Sequence, residues 1–306
     1  MNAPGPAASG GPGDPAVLPF PDAPAEASAP DPTDMSPLQI DAELLADWLV
    51  EFLRHEIRRR RGFERVVVGL SGGVDSSLTA ALSARALGHD GVLGFLLPYR
   101  TSSADSAAHA ELVAEQLGIR TRTIEITDAV DGYLAGFEPD ATDHRRGNVC
   151  ARLRMIVLFD QAAKLGALPI GTGNKSERLL GYFTWHADDS PPINPLGDLF
   201  KSQVWELSKA MGLPGDVVDK PATADLIHGQ TDEEDLGITY PEADLILHWL
   251  LSGYTARRLE EFGFERAKIE IVRGRLEGTH WKRHLPTVGM VSATAIGEWY
   301  LRPVDY

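Results

Sequence analysis

The sequence predicts an α/β protein with a doubly wound parallel sheet flanked by helices. Three observations carry that prediction. Short apolar runs at 66–68, 91–97, 120–126 and 169–170 alternate with stretches of helical periodicity. The first run passes directly into Gly69-Leu70-Ser71-Gly72-Gly73-Val74-Asp75-Ser76-Ser77, where the adjacent glycines Gly72 and Gly73, an acid and the adjacent hydroxyls of Ser76 and Ser77 stand at a strand-to-helix turn. A chain of 306 residues with 43% hydrophobic content can also bury one large core.

In chain order, residues 1–35 are rich in Pro, Ala, Gly and Asp with almost no large apolar side chain, and are expected to be a disordered tail. Residues 36–306 form the expected single domain. Ser36-Pro37 reads as a helix start, and Leu44, Leu45, Trp48, Leu49, Phe52 and Leu53 recur at helical spacing toward Gly62. Arg58 to Arg61 read either as a nucleic-acid patch or, more commonly, as basic side chains favoured by the end of a helix dipole.

After the first strand, a helix begins near Ser76. The run at 91–97 is the second strand, with Tyr99 to Ser103 as its loop. A helix on Leu112, Val113 and Leu117 stops at Gly118, and 120–126 alternates as a third strand. A further helix runs from Gly147 to Leu165, a fourth strand ends at Gly171, and Asn174 with Glu177 fits a capping box. Tyr240 to Leu251 and Phe264 to Leu276 are amphipathic core or interface helices. Thr231 to Glu234 starts another helix or orders a lid, and the apolar end with Trp299, Tyr300 and Pro303 is expected to pack back on the domain.

The Gly69 to Ser76 turn suits a polyphosphate. Its glycines let backbone amides face a ligand, and the following helix adds unpaired N–H groups and a positive dipole end. Asp75 beside an anion site implies a cation, with Mg²⁺ as the natural choice. An ordinary tight turn needs one glycine and no acid. The net charge of −15 disfavours partners held through a phosphate backbone, so no nucleic acid is expected. No apolar run is long enough for a bilayer span, and the tail lacks the basic start and apolar core of a signal peptide, so no membrane and a cytoplasmic location are expected. The single cysteine, Cys150, excludes an internal disulfide and reads as a small buried residue.

The turn resembles the Ser-Gly-Gly-x-Asp-Ser loop of the N-type ATP pyrophosphatases. The ordered runs Gly171 to Glu177, Gly181 to Thr184, Ile193 to Lys201, Lys220 to Leu226 and Gln230 to Glu233 are similar to ammonia-dependent NAD synthetase. That resemblance implies a Rossmann-like sheet of the adenine nucleotide alpha hydrolase type and a ligase forming a C–N bond. It implies an ATP site from Gly69, Leu70, Ser71, Gly72, Gly73, Val74, Asp75, Ser76, Thr172, Lys201 and Thr223, with Mg²⁺ on Asp75 and Glu177. For the second substrate, deamido-NAD, it implies Arg152, with Asn148 and Tyr182 bordering the pocket and Trp185, Asp188, His280 and Lys282 beside it. Asp75 and Lys201 are the expected catalytic groups, with Asp188 as a guess for the proton acceptor. Free ammonia is the expected nitrogen donor, and a homodimer is expected by analogy.

Taken singly, several of these residues have plainer readings: Arg152 as a buried structural arginine, Tyr182 as a core aromatic, Lys201 as a solvated lysine and Glu177 as a cap. The family's usual lysine after Gly181 to Thr184 is here Trp185, its second aspartate is Pro192, and its His-Lys pair is split as His280-Trp281-Lys282. Two alternatives follow from those departures: another N-type ATP pyrophosphatase adenylating a different acceptor, or a non-catalytic nucleotide-binding protein.

Overall fold

The alternation of Val66, Val67 and Val68 divides the molecule into its layers, because successive side chains of a strand point to opposite faces. Val66 and Val68 join the core under one set of helices, while Val67 joins Phe95 and the core on the other face. The computed structural model describes residues 29–223, 231–284, 289 and 291. Residues 1–28 of the expected tail, and the Trp299 to Pro303 end, lie outside the described residues. The described chain starts within the expected tail, where Pro30 is buried and Met35 packs against a helical cluster with Leu38.

Ser36 does not start the first helix. It opens a short 3-10 turn, Ser36–Leu38, and α1 (Ala42–Arg54) is capped instead by Asp41, whose carboxylate accepts from the Leu44 amide at 3.0 Å. One π-type turn (His55–Arg59) continues it, and Gly62 at φ 71° ends it. The arginines there serve helix ends and local acids. Arg54 donates to the Ala86 and Arg85 carbonyls at 3.0 and 3.1 Å, and Arg60 and Arg61 pair with Glu56.

Next come β1 (Val66–Gly69), α2 (Val74–Leu87), β2 (Val92–Leu96), α3 (Ala104–Leu117), β3 (Arg120–Thr123), α4 (Thr127–Phe137), α5 (Asp143–Leu165) and β4 (Leu168–Pro169). All strand pairs are parallel in the order β3-β2-β1-β4, with Val66 opposite Val92 and Leu168. The long α5 begins earlier than the sequence pattern suggests, because Thr142 caps it by accepting from Arg145. α1, α2 and α3 cover one face of the sheet and α4 and α5 the other.

The rest of the described chain is helical: α6 (Lys175–Leu180), α7 (Lys201–Ala210), α8 (Gly215–Val218), α9 (Asp232–Leu236), α10 (Tyr240–Leu251), α11 (Ala256–Glu261) and α12 (Arg266–Gly278). A second core gathers around α10, with Tyr240, Leu247, Leu259 and Ile269 fully buried. α6 and α7 pack on α10 and tie this lobe to the end of the sheet. Among the described residues no helix is long and apolar enough to cross a membrane.

Candidate active site

Two glycine-containing turns leave the sheet side by side, because β1 and β4 are neighbours and both run into helices. Such crevices beyond strand carboxyl ends are where open α/β sheets bind ligands. The first turn has its helix start at Val74, two residues before the predicted Ser76, with Gly73 at the cap position. Ser76 and Ser77 then fold their hydroxyls back onto the Gly73 carbonyl at 3.1 and 2.8 Å, and Ser76 Oγ also accepts from the Ser71 amide at 3.2 Å. Gly72 is required twice over. Its φ is +75°, and a Cβ there would lie 2.1 Å from the Ser106 carbonyl oxygen.

The second turn follows Ile170 and carries Gly171, Thr172, Gly173 and Asn174 into α6. Asn174 caps α6 by accepting from the Glu177 amide at 2.9 Å, while Glu177 accepts from the Asn174 amide at 3.3 Å, so the predicted capping box is present. The remaining Asn174 amide donates across the crevice to Asp75 Oδ1 at 2.8 Å. Lys201, at the first position of α7, is only 2% exposed. Its ammonium donates to Asp75 Oδ2 and, at 3.3 Å, to Glu177 Oε1, over the Tyr240 ring at 5.3 Å. The solvated-lysine reading is therefore excluded by burial.

The electrostatics follow from that crowding. Burial pulls the Lys201 ammonium down, but Asp75 and Glu177 together more than offset it and hold it above its ordinary value. Burial and the adjacent Asp75 push the Glu177 carboxyl up to about 8, against the pull of Lys201. The two carboxylates thus share one cation position, and the lysine ammonium stands in it. Among the described residues no group of three or more His, Cys, Asp or Glu side chains gathers to hold a metal. An oxygen-preferring divalent cation fits here with two protein carboxylates and its other ligands drawn from a phosphate or water.

The residues expected to border a second substrate form a neighbouring wall. Asn148 accepts from the Thr184 hydroxyl at 2.9 Å, and Arg152 donates to the Trp185 carbonyl at 3.2 Å. Asp188 is exposed and closes this turn by accepting from the Thr184 amide at 2.8 Å. His186 takes a φ of +59°, rare for a residue with a Cβ. Trp185 meets the half-exposed Trp281 edge-on at 5.3 Å. Lys282 donates to the Gly181 carbonyl at 2.6 Å and to that of Phe183, and exposed His280 pairs with the Glu277 carbonyl. Tyr182 faces Asp232 and Asp235, and burial with those acids raises its hydroxyl pKa. Thr223 is exposed, and the neighbouring residues 224–230 lie outside the described set. Cys150 is buried, and burial pushes its thiol up.

A family model described as NAD synthase matches residues 45–286. The chain belongs to the NAD synthase family. It is therefore a ligase, and its parallel sheet is that of the family. An NH(3)-dependent NAD(+) synthetase of Trichlorobacter lovleyi is 45% identical over 263 residues, covering 86% of this chain and 96% of the relative. One of Fusobacterium nucleatum is 41% identical over 84% of this chain and 99% of its own. Among solved structures, an NMN synthetase from Francisella tularensis matches with a TM-score of 0.71 and 31% identity, covering 82% of this chain and all but 1% of its own. An NH3-dependent NAD synthetase from Campylobacter jejuni, in complex with nitrate, also gives a TM-score of 0.71 at 29% identity, covering 82% of this chain and 100% of the neighbour.

Sequence reasoning missed three residues that the structure packs around Glu177 and Lys201. Asn174 was read only as a cap. Tyr240 and Asp244 were read as part of a core or interface helix, although an acid within Ala243-Asp244-Leu245-Ile246 signals a buried, partnered carboxylate.

Proposed function

We propose that this chain makes NAD⁺ in the cytoplasm from deamido-NAD, ATP and ammonia. The observation that carries the proposal is the convergence of Asp75 and Glu177 on one buried cation position beside the Gly69 to Ser76 turn. Mg²⁺ held by Asp75 and Glu177 would neutralise charge on the ATP phosphates and orient them for displacement at the α-phosphorus.

The chain's own residues then have positional work. The Gly72 amide and the amino end of α2 face the phosphates, while the Leu70, Ser71 and Gly73 amides brace the turn through Phe95, Ser76 and Ser71. Lys201 moves from the carboxylates onto phosphate oxygen, exchanging one anionic contact for another. Arg152, with its fork of donors, and Asn148 hold the acceptor, and Trp185 offers a ring face to the nicotinate.

The nicotinate carboxylate oxygen attacks the α-phosphorus, and the bond to the β-phosphate oxygen breaks, releasing pyrophosphate. Ammonia then adds to the acyl carbon of the adenylated intermediate, AMP leaves with the bonding electron pair, and one proton is lost. Asp188, on the wall beside Thr184, is the proposed acceptor of that proton, directly or through water.

The chain is also proposed to act as a homodimer. α4 and α5 pack on each other and leave Tyr133, Phe137, Ile156 and Phe159 exposed, and Ile156 lies one helical turn beyond Arg152. A second copy covering this face would bring the interface next to the acceptor wall.

The test supplies the purified chain with MgATP and measures pyrophosphate, AMP and NAD⁺ with and without deamido-NAD, a mononucleotide acceptor and ammonium. One pyrophosphate, one AMP and one NAD⁺ per turnover, only with deamido-NAD, are expected. Pyrophosphate release with another acceptor, or none at all, would overturn the reading. Sedimentation of Ile156→Asp tests the dimer, with a shift to monomer expected.

A further inference from the structure

Asp244 lies in the middle of α10, fully buried, in a helix otherwise apolar on that side. Its carboxylate has three donors. The Ser176 hydroxyl donates to Oδ1, and the Ser202 amide and hydroxyl donate to Oδ2 at 2.9 and 2.7 Å. Ser176 Oγ, while donating to Asp244, accepts from the Lys201 amide at 2.8 Å. Ser176 precedes Glu177, and Ser202 follows Lys201.

These bonds do something that no nearer side chain does. Phe200, at the cap position of α7, has no side-chain oxygen for the first amides of the helix, so they are capped from a distance, Lys201 by Ser176 and Ser202 by Asp244. The same carboxylate holds the second residue of α6. Resting on the reading above, we propose that Asp244 is a positioning residue that sets Glu177 and Lys201 relative to each other, and so fixes the cation position they share. It touches neither substrate nor metal, and acts through Ser176 and Ser202.

The structural cost supports the assignment. A leucine there would bury as well without three obligatory partners, and buried carboxylates are expensive where packing alone is needed. What Asp244 supplies is registry between two helix starts that come from opposite ends of the 175–201 segment.

The experiment compares the wild-type chain with Asp244→Asn, Ser176→Ala, Ser208→Ala and Asp75→Asn. It measures pyrophosphate release against Mg²⁺ concentration at fixed ATP, and Mn²⁺ binding with a non-hydrolysable ATP analogue by electron paramagnetic resonance. An asparagine amide must point its own donor at Ser176 or at Ser202. Asp244→Asn is therefore expected to lower kcat by tenfold or more, toward about 100-fold, and to raise the Mg²⁺ concentration for half-maximal rate and weaken Mn²⁺ binding several-fold. Ser176→Ala should show a smaller form of the same pattern. Ser208→Ala, on α7 with a buried hydroxyl that makes no hydrogen bond to Asp244, should leave both readouts unchanged.

If Asp244→Asn melts earlier but keeps wild-type kcat and metal dependence below its transition, the proposal is overturned. Should Asp244→Asn fail to fold, Ser176→Ala decides in the same way. Asp75→Asn separates the two levels: retained metal binding there would sink the cation assignment itself, while loss there with normal Asp244→Asn would sink only the positioning role.

Discussion

The Gly69 to Ser76 turn and the α10 wall built from Tyr240 and Asp244 reach the same crevice by opposite means. The turn is local: eight consecutive residues, glycine conformations and main-chain donors, standing on the apolar strand β1. The wall is remote. Asp244 connects residues 42 and 68 positions away, and Lys201 reaches Asp75 across 126 positions. The turn is made of backbone that cannot be misplaced without breaking the strand. The wall is made of charges that exist only because the fold has already closed.

The sharpest test of that contrast is the single side chain on which the two regions meet. Asp75 belongs to the turn by sequence and to the wall by its bonds with Lys201 and Asn174. Asp75→Asn keeps its shape and removes the charge, so turnover should fall on the order of 1,000-fold with little change in melting temperature. Activity within tenfold of wild type would show that the crevice needs no carboxylate at this position.

Gly72→Ala probes the turn alone. The added methyl meets a backbone carbonyl that has no freedom to retreat, at a φ that alanine avoids. A loss of about 2–4 kcal/mol in denaturant unfolding is expected, with activity falling alongside. The same change at Gly73, whose Cβ would meet nothing nearer than Ser71 Oγ at 3.4 Å, should cost far less. Equal losses at the two positions would mean that backbone conformation is not what defines this turn.

This asymmetry explains what was legible in the sequence. The strands, the glycine turn after β1, the Asn174 capping box and the span of α10 follow from short-range rules and are where the pattern put them. The start of the first helix was misread because Ser36-Pro37 is a good local signal. Asp41 is the cap instead, since its carboxylate accepts from the Leu44 amide at the point where the apolar periodicity of α1 begins. Lys201 and Asp244 show the other limit. Nothing in the residues beside Lys201 states that its ammonium is buried between two acids 126 and 24 positions away, and only family resemblance placed it in the site. Asp244 had no such help.

The pH dependence of stability separates the wall from the turn. Burial raises the Asp244 carboxyl to about 6 from an ordinary value of 3.8, despite donors from Ser176 and Ser202. A carboxyl raised on folding favours the folded state fully below its unfolded value, and that contribution is lost as pH climbs through the folded value. Across about pH 4 to 6, wild-type stability relative to Asp244→Asn should therefore drop by roughly 2–3 kcal/mol, read by urea unfolding at each pH. A flat difference would mean that Asp244 is far better solvated by its partners than its burial implies, and the wall would then hold no stored electrostatic cost.

The smallest effect belongs to Ser71. Its hydroxyl accepts from the Gly73 amide at a long 3.3 Å and meets Ser76 Oγ at 3.1 Å, and the residue is exposed. Because the shape of the turn is set by main-chain conformation and by Ser76 and Ser77 closing on the Gly73 carbonyl, Ser71→Ala should cost no more than about 1 kcal/mol in unfolding free energy. The amide of Ser71 keeps its bond to Ser76 in the variant, since that donor is backbone. A loss several times larger would show that this hydroxyl braces the glycines. The turn would then depend on side-chain chemistry as much as the Asp244 wall does, and the division between a backbone-built and a charge-built half of the crevice would no longer hold.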